Sequence, residues 1–200
     1  MYGLFIHSWI HAVAKTWLMR EYLKGVSTIF PRNQVFLLSP IISKLMSDNS
    51  GLLPSGCTIR SAAAQDIKSI RMLVWSAKLD PTQLRWEQFW VIECSGDLVA
   101  CGQLRHFAGA QELGSLVVMK DWRDRGLGSY LTKYLIQQAT EPLYLECLGK
   151  RLASFYTRFG FVEVSVQELP QSLKFKFGLS QLAKTLFGIP VTIMQYSNPK

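Results

Sequence analysis

The chain has 200 residues, of which 48% are hydrophobic and 18% charged, with a formal net charge of +8 at pH 7. A chain of this length has room for one domain with extensions but not for several domains, and it can bury a substantial core. The excess charge lies at the ends: residues 1–53 hold five Lys or Arg against two acids and residues 171–200 four against none, whereas residues 54–170 hold thirteen against twelve. Basic ends suit an anionic membrane surface or an acidic protein, although solvated helix faces explain them equally well. We expect no nucleic acid partner.

Residues 1–53 are predicted to form a helical extension and linker. Ile6, Ile10, Val13 and Trp17 recur at helical spacing, which predicts an amphipathic helix over about 4–24. The longest uncharged run of this segment, residues 1–14, is too short to cross a bilayer, and no positive head precedes it as in a signal peptide. The extension is therefore predicted to lie on a membrane, to cover the core or to target an organelle.

Metal and disulfide chemistry are not predicted. His7 and His11 have a spacing that a metal site uses, but no third ligand accompanies them, so a helix surface is favoured. The chain has four cysteines: Cys57, Cys94, Cys101 and Cys147. They show no Cys-x-x-Cys spacing, which favours free thiols in a reducing compartment over disulfides or zinc, and we expect a cytoplasmic protein.

From Cys57 onwards the pattern alternates regularly between strands and helices. Strands are predicted at 58–60, 89–94, 98–107, 111–119, 142–147, 161–166 and 191–196, and helices at 62–78, at Leu84 to Trp86, from Gly126 to about 139 and at 152–159. Residues 168–190 form a basic, apolar insertion before the last strand. Its apolar residues fit a strand and a helix equally well, so both readings stay open. The insertion is expected to cover the substrate cleft, touch a membrane or cap the N-terminal helix.

The segment 116–131 predicts a site for a phosphate-bearing ligand. Val117 and Val118 continue an apolar run typical of a buried strand, and a helical pattern begins near Leu127. Between them lie two arginines and two glycines, at a helix start whose N–H groups and dipole favour anions. The segment is not a P-loop, because no lysine follows Gly128, and Leu131 stands where a dinucleotide fingerprint needs a glycine. The alternative is a basic turn without a ligand.

Two motifs resemble the GNAT superfamily of acyl-CoA-dependent N-acetyltransferases. One is Arg123-x-x-Gly126-x-Gly128 at the strand-to-helix turn, and the other is the tyrosine-bearing segment 154–161 before a Gly-Phe strand start. The resemblance extends from about Cys57 to Val166. It implies a fold of the α+β or α/β class in a domain at 54–200, with a mixed, mostly antiparallel sheet of about seven strands and helices on both faces.

The same resemblance implies acetyl-CoA as a cosubstrate and no metal. Main-chain groups of Leu116, Val117 and Val118 would hold the pantetheine arm. The pyrophosphate would be bound by the turn, which consists of Arg123, Asp124, Arg125, Gly126, Leu127, Gly128 and Ser129. Arg125 is either a phosphate ligand or only a solvated neighbour.

The resemblance also implies catalytic roles. Tyr156 occupies the position of the family's general acid, although Phe155 and Phe159 also make it a candidate aromatic core residue. Glu112 is the candidate base, because it lies eleven residues before Arg123, as in family members that acetylate lysines. A salt bridge at the strand start is the alternative, and in many relatives water takes the proton. Weaker candidates are His106, Glu146 and Cys147.

The leading hypothesis is N-acetyl transfer to a primary amine of a small molecule, a peptide N-terminus or a protein lysine. Residues 161–170 are also weakly similar to bacterial glutamate-acetylating enzymes, but no second basic cluster for a dicarboxylate is evident. The alternative is a non-catalytic acyl-CoA-binding or scaffold protein, docked to a membrane or protein through residues 1–30 and 171–190. A homodimer and the identity of the acceptor are left open.

Overall fold

A seven-stranded sheet forms the centre of the protein. The structure, a computed structural model, describes residues 53–79, 83–178, 188 and 190–197. The strands are β1 (Cys57–Ser61), β2 (Phe89–Cys94), β3 (Asp97–Phe107), β4 (Ala110–Val118), β5 (Leu143–Leu148), β6 (Phe161–Glu163) and β7 (Val191–Tyr196). Their order is β1-β2-β3-β4-β5-β7-β6, and among these neighbours only β4 and β5 are parallel. The predicted mixed, mostly antiparallel sheet is confirmed.

Helices cover both faces of the sheet, as predicted. They are α1 (Ile67–Ser76), α2 (Leu127–Gln138), α3 (Gly149–Thr157) and α4, described over 171–178. On one face α1 packs against β2, β3 and β4, and α4 packs against β4, β5 and β7. On the other face α2 and α3 bury residues such as Leu131 and Tyr156 against the sheet. Within the described ranges, no helix is long and apolar enough to cross a membrane.

The insertion between β6 and β7 forms a helix in its described part. Leu173 and Phe177, four residues apart, are fully buried against the sheet, whereas Phe175 is 67% exposed. This difference explains why the sequence left the question open: the three residues alternate as in a strand, but only the pair at helical spacing is buried. The remainder of the insertion, the N-terminal helix predicted at 4–24 and the pair His7/His11 lie outside the described residues.

The prediction of four free thiols was wrong for one pair. Cys57 and Cys94 stand directly opposite each other in the β1–β2 register and form a disulfide. Cys101 and Cys147 are free and buried. The two cysteines are 37 residues apart in sequence and come together only when β1 pairs with β2, so no sequence motif indicated the disulfide.

Candidate active site

A cleft opens where the parallel strands β4 and β5 separate. Their pairing is limited to Gln111 with Leu143 and Glu112 with Tyr144. Beyond these pairs β4 continues to Val118 against β3 alone, and β5 continues to Leu148 against β7. Within the described ranges, the edge of β4 that faces the cleft therefore has no strand partner. Such an edge offers backbone N–H and C=O groups to an extended ligand.

A bulge shapes the β4 wall of the cleft. Cys101 is paired with Val117, but Gln103 is paired with Gly114, so β4 has one extra residue at this point. Ser115 adopts a positive φ of 48° there. Bulges redirect side chains and are common beside active sites. The residues predicted to hold a pantetheine arm, Leu116 to Val118, lie between this bulge and the end of β4.

The predicted phosphate turn connects β4 to α2. A 3-10 turn at Lys120–Trp122 is followed by Asp124, with a φ of 60°, and Gly126, with a φ of 80°. Gly126 is the N-cap residue of α2, and its carbonyl accepts the N–H of Tyr130 at 2.9 Å. The earlier N–H groups of the helix have no partner within it, so they are available to an anion. Glycine at 126 is explained by the left-handed backbone.

The side chains of the two arginines are held by the turn. Arg123 Nε donates a hydrogen bond to the Val118 carbonyl at 3.2 Å, and the Arg125 guanidinium stacks over the Trp122 ring at 4.7 Å from its centroid. Both arginines are exposed, so their charge is available to a ligand. Gly128 is not required by the fold itself, because a Cβ there would meet Val118 Cγ2 at an ordinary 3.7 Å. The small residue leaves room for close approach of a ligand to the first turn of α2.

Tyr156 lies on α3 inside the aromatic core, in the same buried cluster as Leu145 and Cys147 of β5. It is 8% exposed, and its ring packs edge-on against Phe155 at 5.1 Å and Phe161 at 5.7 Å between centroids. Burial, with a smaller contribution from Cys147, raises its pKa above the ordinary value of 10. The phenol is thus protonated at neutral pH, as a general acid must be. Tyr156 can be both a core residue and a proton donor, and its role as general acid remains a prediction.

Glu112 is part of a buried ion-pair cluster. It is 4% exposed; its Oε1 accepts a hydrogen bond from Arg105 Nη1 at 2.9 Å, and its Oε2 accepts one from Lys176 Nζ. Arg105 Nη2 donates to Ser115 Oγ at 2.9 Å, which connects the cluster to the bulge. The ion pair foreseen as the alternative is therefore present in buried form. The role of Glu112 as base remains a prediction. It requires that the acceptor amine replace Arg105 or Lys176 as a hydrogen-bond donor to the Glu112 carboxylate.

Sequence reasoning missed Arg105 and Lys176. The hairpin of β3 and β4 carried a usable signal for the first, since Arg105 pairs directly with Glu112 across the two strands. No such signal existed for Lys176, because the conformation of the insertion was undetermined. The cluster combines side chains from β3, β4 and α4.

Gly114 is needed for this cluster. A Cβ built there would lie 2.5 Å from Arg105 Nη1 and 3.0 Å from its Cζ, so the guanidinium rests on the bare backbone. We expect Gly114→Ala to displace Arg105 and to lower the free energy of unfolding by about 2 kcal/mol, since buried polar partners are lost. Urea denaturation measures this effect. Gly128→Ala, where the Cβ has space, is the control, and equal losses in the two variants would contradict the role assigned to Gly114.

Two of the weaker candidates, His106 and Cys147, do not join the cluster. His106 is exposed, and its Nδ1 lies 3.2 Å from Gln111 Nε2. Cys147 is buried, and burial raises the pKa of its thiol to about 11, which makes it a poor nucleophile. Within the described ranges no group of three or more His, Cys, Asp or Glu side chains is placed to hold a metal ion.

Comparison with known proteins finds similarity to acetyltransferases in sequence and in fold. Residues 85–163 match the model of the acetyltransferase (GNAT) domain. The chain is 35% identical over 108 residues to an amino-acid acetyltransferase of Shewanella oneidensis, covering 52% of this chain and 24% of that protein. It is 28% identical over 148 residues to the amino-acid acetyltransferase of Photobacterium profundum, covering 68% and 34%.

A solved structure shares the fold. N-acetylglutamate synthase from Neisseria gonorrhoeae, complexed with coenzyme A and N-acetyl-glutamate, superposes with a TM-score of 0.58 at 21% identity, covering 73% of this chain and 36% of the synthase. The chain thus spans about a quarter to a third of the length of the curated relatives it matches.

Proposed function

We propose that this chain is an acetyl-CoA-dependent N-acetyltransferase whose acceptor is the amino group of an amino acid. The observation that carries the proposal is the cleft between β4 and β5, because it joins an anion-binding helix start to a buried cluster of charged side chains. The curated relatives, which are named amino-acid acetyltransferases, support the choice of acceptor class. This choice narrows the range of primary amines that the sequence left open.

The cosubstrate fits the open wall of the cleft. The unpartnered edge of β4 at Leu116 to Val118 would pair with the amide groups of a pantetheine arm, as an added strand would. The N–H groups at the start of α2, with Arg123 and Arg125, would bind the pyrophosphate. Bound in this way, acetyl-CoA supplies an acetyl group activated as a thioester.

Two buried polar atoms on β3, the strand paired with the β4 wall of the cleft, are unsatisfied among the described residues. Arg105 Nε and Gln103 Oε1 are buried and have no hydrogen-bond partner within the described part of the chain. The two residues are two positions apart on β3 and therefore face the same side of the sheet. A buried donor and a buried acceptor that are unpaired in the protein are expected to pair with a ligand or water. The carboxylate and the amino group of an amino acid provide the complementary acceptor and donor.

The residues in the cleft provide the proton transfers that amide formation needs. Glu112 takes a proton from the incoming ammonium group, directly or through water, and the amine nitrogen then forms a bond to the acetyl carbonyl carbon. As the bond from that carbon to sulfur breaks, Tyr156 protonates the departing thiolate, and the second proton of the amine nitrogen returns to the phenolate through solvent. Burial of both residues favours these transfers because water does not compete for the protons.

The test is an acceptor screen with the purified chain. Amino acids are compared with matched amines that lack the α-carboxylate, by measuring CoA release and the acetylated product by mass spectrometry. We expect at least one amino acid to be acetylated with a kcat/KM about 100-fold above its decarboxylated counterpart, since loss of the carboxylate leaves Arg105 Nε without a partner. Acetylation of amines regardless of the carboxylate would contradict the acceptor class. Binding of CoA without turnover on any acceptor would support a non-catalytic protein instead.

A further inference from the structure

Helix α4 brings a primary amine to the residue that would deprotonate an acceptor. We propose that Lys176 is an internal acetyl acceptor, so that the protein acetylates its own Lys176 Nζ when no amino acid is bound. The inference rests on the proposed function, since it uses the same cosubstrate and the same catalytic groups. It adds a modification site within the cleft.

The packing of α4 holds the Lys176 amine in one place. Leu173 and Phe177 anchor the helix in the core, and the Lys176 side chain is only 25% exposed. Its Nζ contacts Glu112 Oε2 and lies 5.6 Å from the ring centroid of Phe107 and 5.8 Å from that of Phe177. A lysine held on several sides has already lost most of the side-chain freedom that an external amine would lose on binding.

The contact with Glu112 places this amine at the closed end of the cleft. Glu112 and its partner Tyr144 form one of the last pairs before β4 and β5 separate. Arg105 binds the other oxygen of Glu112 and also reaches Ser115 at the bulge. The amine therefore approaches the cleft from the face covered by α4, while the phosphate turn lies at the opposite end of β4.

The surroundings of Lys176 favour a reactive amine. Burial lowers its pKa below the usual 10.5; Arg105 lowers it further, and Glu112 and Glu146 partly oppose the shift. A lower pKa means a larger neutral fraction at neutral pH, and only the neutral amine has the lone pair that attacks a carbonyl. By contrast, the lysines Lys68, Lys120, Lys133 and Lys150 are exposed.

The reaction balances with the groups in the cleft and acetyl-CoA. The Lys176 ammonium gives one proton to Glu112, and Nζ bonds to the acetyl carbonyl carbon as the bond from that carbon to sulfur breaks. Tyr156 protonates the thiolate, and the proton left on the nitrogen returns to the phenol through solvent. The products are CoA and an amide at Lys176. The amide is neutral, so the ion pair between α4 and Glu112 is lost on modification.

The experiment measures where the protein labels itself. The purified full chain is incubated with acetyl-CoA carrying a trideuterated acetyl group, without an amino acid, and the label on each lysine is followed by peptide mass spectrometry. We expect Lys176 to be labelled at least about 100-fold faster than Lys174, its neighbour on α4, because the cleft supplies positioning that other lysines lack. Tyr156→Phe should slow labelling of Lys176 alone. Lys174→Arg, on the same helix, should leave it unchanged.

Two results overturn the proposal. One is labelling of Lys176 no faster than that of Lys174, and the other is labelling of Lys176 that is insensitive to Tyr156→Phe, which would indicate uncatalysed chemistry. The same preparation is assayed for CoA release with amino acids. Turnover of amino acids without label on Lys176 removes the internal acceptor only, whereas the absence of both turnover and label also removes the proposed function.

Discussion

Tyr156→Phe is expected to reduce kcat for acetyl transfer by about 100-fold or more, the usual contribution of a general acid. The hydroxyl is the only group that the change removes, and the ring keeps its edge-on contacts with Phe155 and Phe161. The affinity for CoA should therefore change little. Steady-state kinetics and calorimetric titration with CoA separate the two quantities.

A second tyrosine variant controls for the loss of a hydroxyl. Tyr134 is on α2, packed edge-on at 6.5 Å from Trp90 and away from the cleft, so Tyr134→Phe should retain full turnover. If Tyr156→Phe matches the wild type in kcat, Tyr156 is only a core residue. Because burial raises the pKa of Tyr156 above 10, the phenol stays protonated as the pH rises. Deprotonation of Tyr156 should therefore not lower kcat as the pH is raised to about 10.

Arg123→Glu is expected to weaken binding of CoA by about 100-fold, since one charge-assisted contact is lost and a repulsive charge is added at the phosphates. The variant also loses the hydrogen bond to the Val118 carbonyl, but that bond is exposed and contributes little to folding. Calorimetry with CoA measures the dissociation constant. The expected loss should shrink at high salt because the contact is exposed to solvent.

The matched control places the same charge change elsewhere. Lys68 is exposed on α1, on the opposite face of the sheet from α2, so Lys68→Glu alters the net charge equally without touching the turn. An equal loss of affinity in both variants would mean that only the net charge matters. Unchanged affinity in Arg123→Glu would remove the turn from the phosphate site.

Local sequence predicted the parts of the molecule that depend on neighbours in the chain. The turn from Arg123 to Gly128 was recognisable because a buried strand, two glycines and an amphipathic helix follow one another directly. The structure places Gly126 in the left-handed conformation that this turn needs. The seven strands were also found, because each has its own pattern of apolar residues and turn signals.

Parts that depend on tertiary contact were not predictable in the same way. The Cys57–Cys94 disulfide and the contact of Lys176 with Glu112 join residues 37 and 64 positions apart. Neither has a periodic signature, since each arises only after the strands and α4 have packed. The bulge at Ser115 was missed for a related reason: an extra residue in a strand is visible only against the register of its partner.

The limited pairing between β4 and β5 affects the mechanics of the whole sheet. Only two residue pairs connect β4 to β5, and they join a half of four strands to a half of three. Most of the backbone hydrogen bonds that two neighbouring strands normally form are therefore missing between the halves. A cosubstrate lying along β4 would supply hydrogen bonds that a strand normally supplies. The bound cosubstrate would then provide some of the hydrogen bonds that hold the two halves together. The melting temperature of the protein should therefore rise steadily with the concentration of the cosubstrate.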